Sequence, residues 1–245
     1  MDLVQMFPSD AEMQAASDRA QQTFKYFWRE LTWEYRRIVP GCAVKMVKIG
    51  FPTGRPADPG PSHEHMWVDR IDFDGLRVYG TLNNQPNWIA GLNEGDAVDV
   101  PLAQVSDWIY SRDDQVFGGF TVHLIRSRMG AAEQRSHDEA WGYDFSGPPQ
   151  LAPGSPDDEH PMSENMAPVY RDQLAGDTSP ARFVDQNGWT QLHHFALGGS
   201  HAIVDVLLHA GADPSAKTPD GRTARDLAVA MGWPRVVARL DVGRA

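Results

Sequence analysis

The tightest constraint on this sequence is a repeat near its end. Asn187-Gly188-Trp189-Thr190 returns as Asp220-Gly221-Arg222-Thr223, 33 positions later. A fixed period of this length is the mark of stacked supersecondary units, each unable to bury its apolar face alone. Between the copies, Ile203-Val204-Asp205-Val206-Leu207-Leu208 has the pattern of a helix and Gly211-Ala212-Asp213 that of a turn closing the unit. Two such units are too few to stand alone, so further helices, and the first domain with them, are expected to pack on them.

Gly188-Trp189-Thr190-Gln191-Leu192-His193 resembles the G-x-T-P-L-H opening of an ankyrin repeat, with Gln191 where proline is usual. Asp226-Leu227-Ala228 continues the second unit. The resemblance implies an all-α array whose loop tips and inner helix faces bind a protein. It also implies that His193 makes structural hydrogen bonds ordering the turn. Helical potential over 164–175 would cap one end, and 228–240, with Val229, Val236, Val237 and Leu240, the other.

The rest of the chain has another character. A length of 245 residues admits one large or two smaller cores. The N-terminus lacks the basic-then-apolar pattern of a secretory signal, and no run approaches the roughly 18 apolar residues of a membrane helix. Cys42 is the sole cysteine, which excludes an internal disulfide or a cysteine-rich zinc site. A cytoplasmic protein, monomeric and with no membrane contact, is the expectation. Of the net charge of −11, residues 131–181 carry −8, from ten acidic and two basic side chains. That concentration argues against nucleic acid as a ligand and fits a solvated linker.

Ser9-Asp10-Ala11-Glu12 has the form of a capping box. Met13, Ala16, Ala20, Phe24, Phe27 and Leu31 then recur at helical spacing. Aromatics off that stripe suggest a helix packed on more than one side. Strands are expected from Cys42 to Ile49, over 66–82 as a hairpin, at Ala97-Val98-Asp99-Val100, and at 106–110 and 118–124 around an Asp113-Asp114 turn. In the hairpin, a two-residue turn at Asp74-Gly75 would pair Phe73 with Leu76 and Ile71 with Val78, with Trp67 and Leu82 on the same face. Pro101 suggests an edge.

Over 42–129 the chain resembles the YegJ-like family of bacterial domains of unknown function. The likeness lies in Glu64-His65-Met66-Trp67-Val68, Gly80-Thr81-Leu82, Glu94-Gly95-Asp96, Ser106-Asp107-Trp108-Ile109-Tyr110 and Gly118-Gly119-Phe120-Thr121, extending through His137-Asp138-Glu139-Ala140-Trp141-Gly142. It implies a compact α+β fold and brings no activity. The expected organisation is an α+β domain, with an N-terminal helix and an antiparallel sheet, over 1–145. An acidic Pro/Gly linker at 146–163 and an all-α ankyrin-repeat domain at 164–245 would follow.

Signals of chemistry are sparse. His63 and His65, two apart in a strand, share a side as metal ligands can, yet lack an evident third ligand. There is no nucleophile elbow, phosphate loop or dinucleotide fingerprint, and Cys42 reads as a small buried hydrophobe. No catalytic residue, metal or cofactor is assigned. His65, Asp107, Tyr110, Gly118, Gly119, Thr121 and His123 are candidates for a small-ligand pocket, with a structural role the favoured alternative. Trp189, His194, His201, His209 and Trp233 are candidates for contact with a partner. Two functions remain in view. One is a non-enzymatic protein-binding module of immunity or antitoxin type, directed at a toxin or effector. The other is an enzyme or ligand-binding domain at 42–129, targeted by the repeats.

Overall fold

The computed structural model describes residues 11–54 and 62–242. Ser9 and Asp10 of the expected capping box lie outside them. The chain is α+β and divides into two compact units. One holds the chain through Phe27 together with Val39–Pro153; the other holds Trp28–Ile38 and the chain from Gly154 onward.

The first unit is a six-stranded antiparallel sheet ordered β4-β3-β2-β1-β5-β6. Its strands are β1 (Cys42–Pro52), β2 (His63–Phe73), β3 (Arg77–Leu82), β4 (Ala97–Pro101), β5 (Val105–Arg112) and β6 (Gln115–Gly118). Pro101 ends the edge strand β4, where its missing N–H leaves no ladder position empty. Helix α1 (Ala11–Glu34) lays Ala20, Phe24 and Phe27 on one face. There Phe24 meets Phe73 edge-on at 5.0 Å, and Trp108 Nε1 donates to Ala20 O at 2.9 Å. From Tyr26 to Glu34 every residue of α1 is buried, because Trp28–Ile38 passes into the second unit. The aromatics off the stripe are thereby accounted for.

The β2–β3 hairpin departs from the expected register. Phe73 pairs with Val78, not Leu76, and Leu76 is 56% exposed. Asp74 Oδ1 accepts from the Leu76 and Arg77 N–H groups, so its side chain builds a wider turn than two residues. A bulge between Asp69 and Asp72, with Arg70 at φ 51°, then shifts the strand's parity. Val68 joins Ile71 and Phe73 in the core, and Trp67, paired with Lys48, turns to the opposite face.

A second correction falls at 118–124. Gly118 and Gly119 both adopt left-handed backbone, the strand ends, and Phe120–Ser127 is helix α2. With α3 (Ala131–Trp141) and Phe145 it covers part of the sheet's other face, around Ile109 and Val122. The Asp113-Asp114 turn holds, with positive φ at both residues and Arg112 paired with Gln115.

The second unit contains α4 (Pro161–Gly176), α5 (Ser179–Arg182), α6 (Gln191–Leu197), α7 (His201–His209), α8 (Ala224–Met231) and α9 (Pro234–Val242). The single closing helix expected over 228–240 is instead split by left-handed Gly232, so α8 and α9 form a complete second pair. The end of α1 completes this unit's core. Trp33 stacks on His160 at 6.0 Å and meets Phe195 at 5.6 Å, while Arg29 donates to Pro156 O and Asp158 O. Among the described residues no helix is long and apolar enough to cross a membrane.

Candidate functional site

Two surfaces concentrate the chemistry, one in each unit. In the helical unit, Thr190 caps α6, accepting from His193 N, and Thr190 N donates to His193 Nδ1 at 3.0 Å. The Nε2–H of His193 then reaches Ala216 O at 3.0 Å, tying the first helix pair to the loop that opens the second. His193 is therefore structural, and burial pushes its imidazole below the usual histidine range. In front of this turn, Asp185 accepts from the N–H groups of Asn187 and Trp189 and pairs with His194 Nε2 at 2.8 Å. The Trp189 ring lies tilted on His194 at 5.2 Å. Beside them Phe183 is 62% and Val184 54% exposed. Large apolar side chains left open on an ordered turn mark a contact surface more strongly than scattered exposed aliphatics do.

Of the five expected contact residues, Trp189 and His194 sit together on this surface. His209 is exposed, with Nδ1 on Asp205 O at 2.8 Å, and His201 is half-buried at the start of α7. Trp233 is a correction. It is buried, donates from Nε1 to Leu197 O at 3.0 Å, and fills the space that the absent Cβ of Gly199 leaves. Its place is in packing the two helix pairs. Phe183 and Val184 were missed because they precede the repeat motif, and an apolar pair ahead of an Asp-rich turn reads as core.

In the sheet unit the expected pocket residues separate. Asp107 is wholly buried and accepts four hydrogen bonds, from Trp108 N, Phe120 N, Thr121 N and Thr121 Oγ1. Its carboxylate thus caps the N-terminus of α2, where free N–H groups and the helix dipole favour negative charge. Burial pushes that carboxyl up, against the opposing pull of Lys48 and of the bonds from Thr121. Lys48 Nζ donates to Thr121 Oγ1 at 2.8 Å and lies 5.0 Å from the Trp67 ring centre. Burial pushes the ammonium down and Asp107 pulls it back. Asp107, Thr121 and Gly119 are accordingly a structural joint between β5 and α2.

Tyr110 lies on the α1 face, stacked on Phe117 at 4.7 Å. Gly118 sits tight against Trp108, where a Cβ would come 2.2 Å from the carbonyl oxygen. Neither reaches a pocket with His65. His123 lines a shallow cleft of about 360 Å³ with Phe120, Arg126 and Phe145. There Arg126 is held bidentate by Asp138 at 2.7–3.0 Å, so its charge is already answered. Burial pushes His123 down.

His65 remains on the open face. Its Nδ1 meets Ser106 Oγ at 2.9 Å, and Ser106 donates to Lys48 O at 3.2 Å. Burial of its inner edge, then Lys48 and His63, push the ring down to about 4. Glu64, between the histidines, is buried and accepts from Asn87 N and Trp88 N. Among the described residues no third histidine, cysteine or carboxylate joins His63 and His65 as a ligand set. Lys48 was missed because a lysine alternating with Val47 and Ile49 reads as a solvated strand position.

Comparison with known proteins agrees with both halves. Residues 10–145 match the model of a family described as an uncharacterized protein conserved in bacteria (DUF2314), and residues 187–219 match the ankyrin repeat. A Neisseria meningitidis serogroup B protein described as an ankyrin repeat protein (NMB1133/NMB1171) is 40% identical over 95% of this chain and 94% of its own length. Escherichia coli YegJ is 27% identical over 24% of this chain and 39% of its own. The calmodulin-binding transcription activator CBT of rice is 42% identical over 24% of this chain and 7% of its own. The chain belongs to the DUF2314 family, joined here to an ankyrin repeat, a module that engages proteins.

Proposed function

We propose that this chain is a non-enzymatic, cytoplasmic and monomeric binding protein that works by covering a partner protein, in the manner of an immunity or antitoxin component. The observation that carries the proposal is the exposed pair Phe183 and Val184 beside the ordered Asp185–Trp189–His194 turn. These side chains are presented on backbone already fixed by hydrogen bonds, so docking onto them costs little ordering entropy. Further support comes from the sheet unit, where Asp107, Thr121 and Arg126 spend their polar groups on internal bonds.

The test begins with capture of the partner from source cells and measurement of its affinity for purified protein. Phe183→Glu and Trp189→Ala are expected to weaken the complex by roughly 30-fold or more, as for truncation of interface hot spots at ~2 kcal/mol. His65→Ala combined with His123→Ala should leave it unchanged. For the immunity role, the captured partner must harm cells when expressed alone, and co-expression of this chain must relieve the harm. A harmless partner sinks that role while leaving the binding surface standing.

A further inference from the structure

Beside the part of the sheet face that α2 and α3 cover, where Trp67 meets Trp141 edge-on at 5.8 Å, lie groups that no partner-binding role uses. Lys48 and Trp67 are directly paired across β1 and β2, Gly50 and His65 are the next pair on that face, and Asp107 follows Lys48 on β5. The register shift at Lys48/Ile49 brings Ser106 to where its hydroxyl meets both His65 Nδ1 and Lys48 O. The single Ser106 proton goes to the Lys48 carbonyl, so its oxygen accepts from the ring and Nδ1 carries the hydrogen. His65 Nε2 is then an acceptor, with no hydrogen-bond partner among the described residues. The ring is seated over Gly50, where a Cβ would stand 3.1 Å from Cε1. Beside it the half-buried Lys48, drawn by Asp107 and with one N–H on Thr121, carries two further N–H groups.

An acceptor next to a cationic donor selects a ligand that offers O–H and O⁻ on one group. A carboxylate lacks the O–H, and a fully ionised oxyanion would place lone pair against lone pair at Nε2. We propose that His65, Lys48 and Trp67 form a site for a small-molecule phosphate monoester in its singly ionised form. The P–O–H donates to His65 Nε2, the anionic oxygen accepts from Lys48, and the Trp67 ring borders the organic group.

The probes are methyl phosphate and methyl sulfate, monoanions of similar shape that differ in the proton. Titration of the full chain, followed by NMR at His65, Lys48 and the Trp67 indole, is run at about pH 5.5. That is above the value of about 4 for His65 and below the second ionisation of a phosphate monoester at ~6. Saturable shifts with methyl phosphate, and binding of methyl sulfate at least tenfold weaker, are expected. Lys48→Met should abolish both. His65→Ala, at an exposed side chain, should retain the melting temperature and erase the difference between the anions. Below about pH 4 the ring gains a proton, against the nearby charges of Lys48 and His63, and methyl sulfate should then bind as well as methyl phosphate. Equal binding of the two anions at the higher pH overturns the proposal, as do shifts confined to other residues. A phosphoserine peptide that binds where methyl phosphate does not overturns the small-molecule assignment.

Discussion

Gly118 and Gly142 share a left-handed backbone, at φ 76° and 75°, and differ in what surrounds them. A Cβ on Gly142 meets nothing within 4 Å, whereas one on Gly118 would overlap the Trp108 carbonyl and ring. Gly142→Ala should therefore cost only the conformational ~1–2 kcal/mol, and Gly118→Ala about 3–5 kcal/mol as overpacking is added. Urea unfolding of both variants checks the contrast. Each Asp107 oxygen accepts two of the four bonds, so Asp107→Asn leaves two donors facing an amide NH2, and a loss of about 3 kcal/mol is expected in the same assay. Both positions were legible as unusual, a glycine pair and an acid next to a tryptophan in a strand. Their purpose was not, because a carboxylate aimed at a ligand and one capping a helix look alike until it is known that a helix starts at Phe120.

At the scale of elements, what the sequence shows well is periodicity, and what it hides is a change of parity. The strand β2 alternates cleanly, yet one bulge at Arg70 reverses the faces of Trp67 and Val68. No composition rule marks the place. The α2 segment misleads for a related reason: Phe-Thr-Val-His-Leu has strand propensity, and the Asp107 cap with the turn at Gly118-Gly119 overrides it. The α2–α3 junction gives a pH prediction. Bonds from Arg126 hold Asp138 below the usual carboxylate range. That stabilisation is present above the unfolded carboxylate value of ~3.9 and is lost as pH falls through the lower folded one. Asp138→Asn should flatten that acid limb and cost about 1 kcal/mol near neutrality, since the pair is partly open to solvent. His193 works from the opposite side. Its folded value lies below 6.5, so stability is full above that pH and declines below it, as the unfolded imidazole takes up protons first. His193→Gln should remove part of this decline in pH-dependent thermal melts.

For the whole molecule, the repeats and the separate front half were readable from period and composition, and the sharing of α1 was not. Nothing in an amphipathic stripe tells that its last turns belong to a core built from residues beyond 154. A fragment of residues 154–242 is expected to lack a cooperative melt, since Phe195 and His160 would lose Trp33 and the 156–158 backbone would lose Arg29. Cooperative unfolding of that fragment alone, by circular dichroism, contradicts the shared helix.

The same helix sets an order of events during synthesis. Trp28–Ile38 leaves the ribosome long before the segment that will enclose it, while the strands between can pair as they emerge. Trp33 stays wet until His160 and Phe195 are made, so a product truncated before them carries an uncovered apolar helix end that quality-control proteases can find.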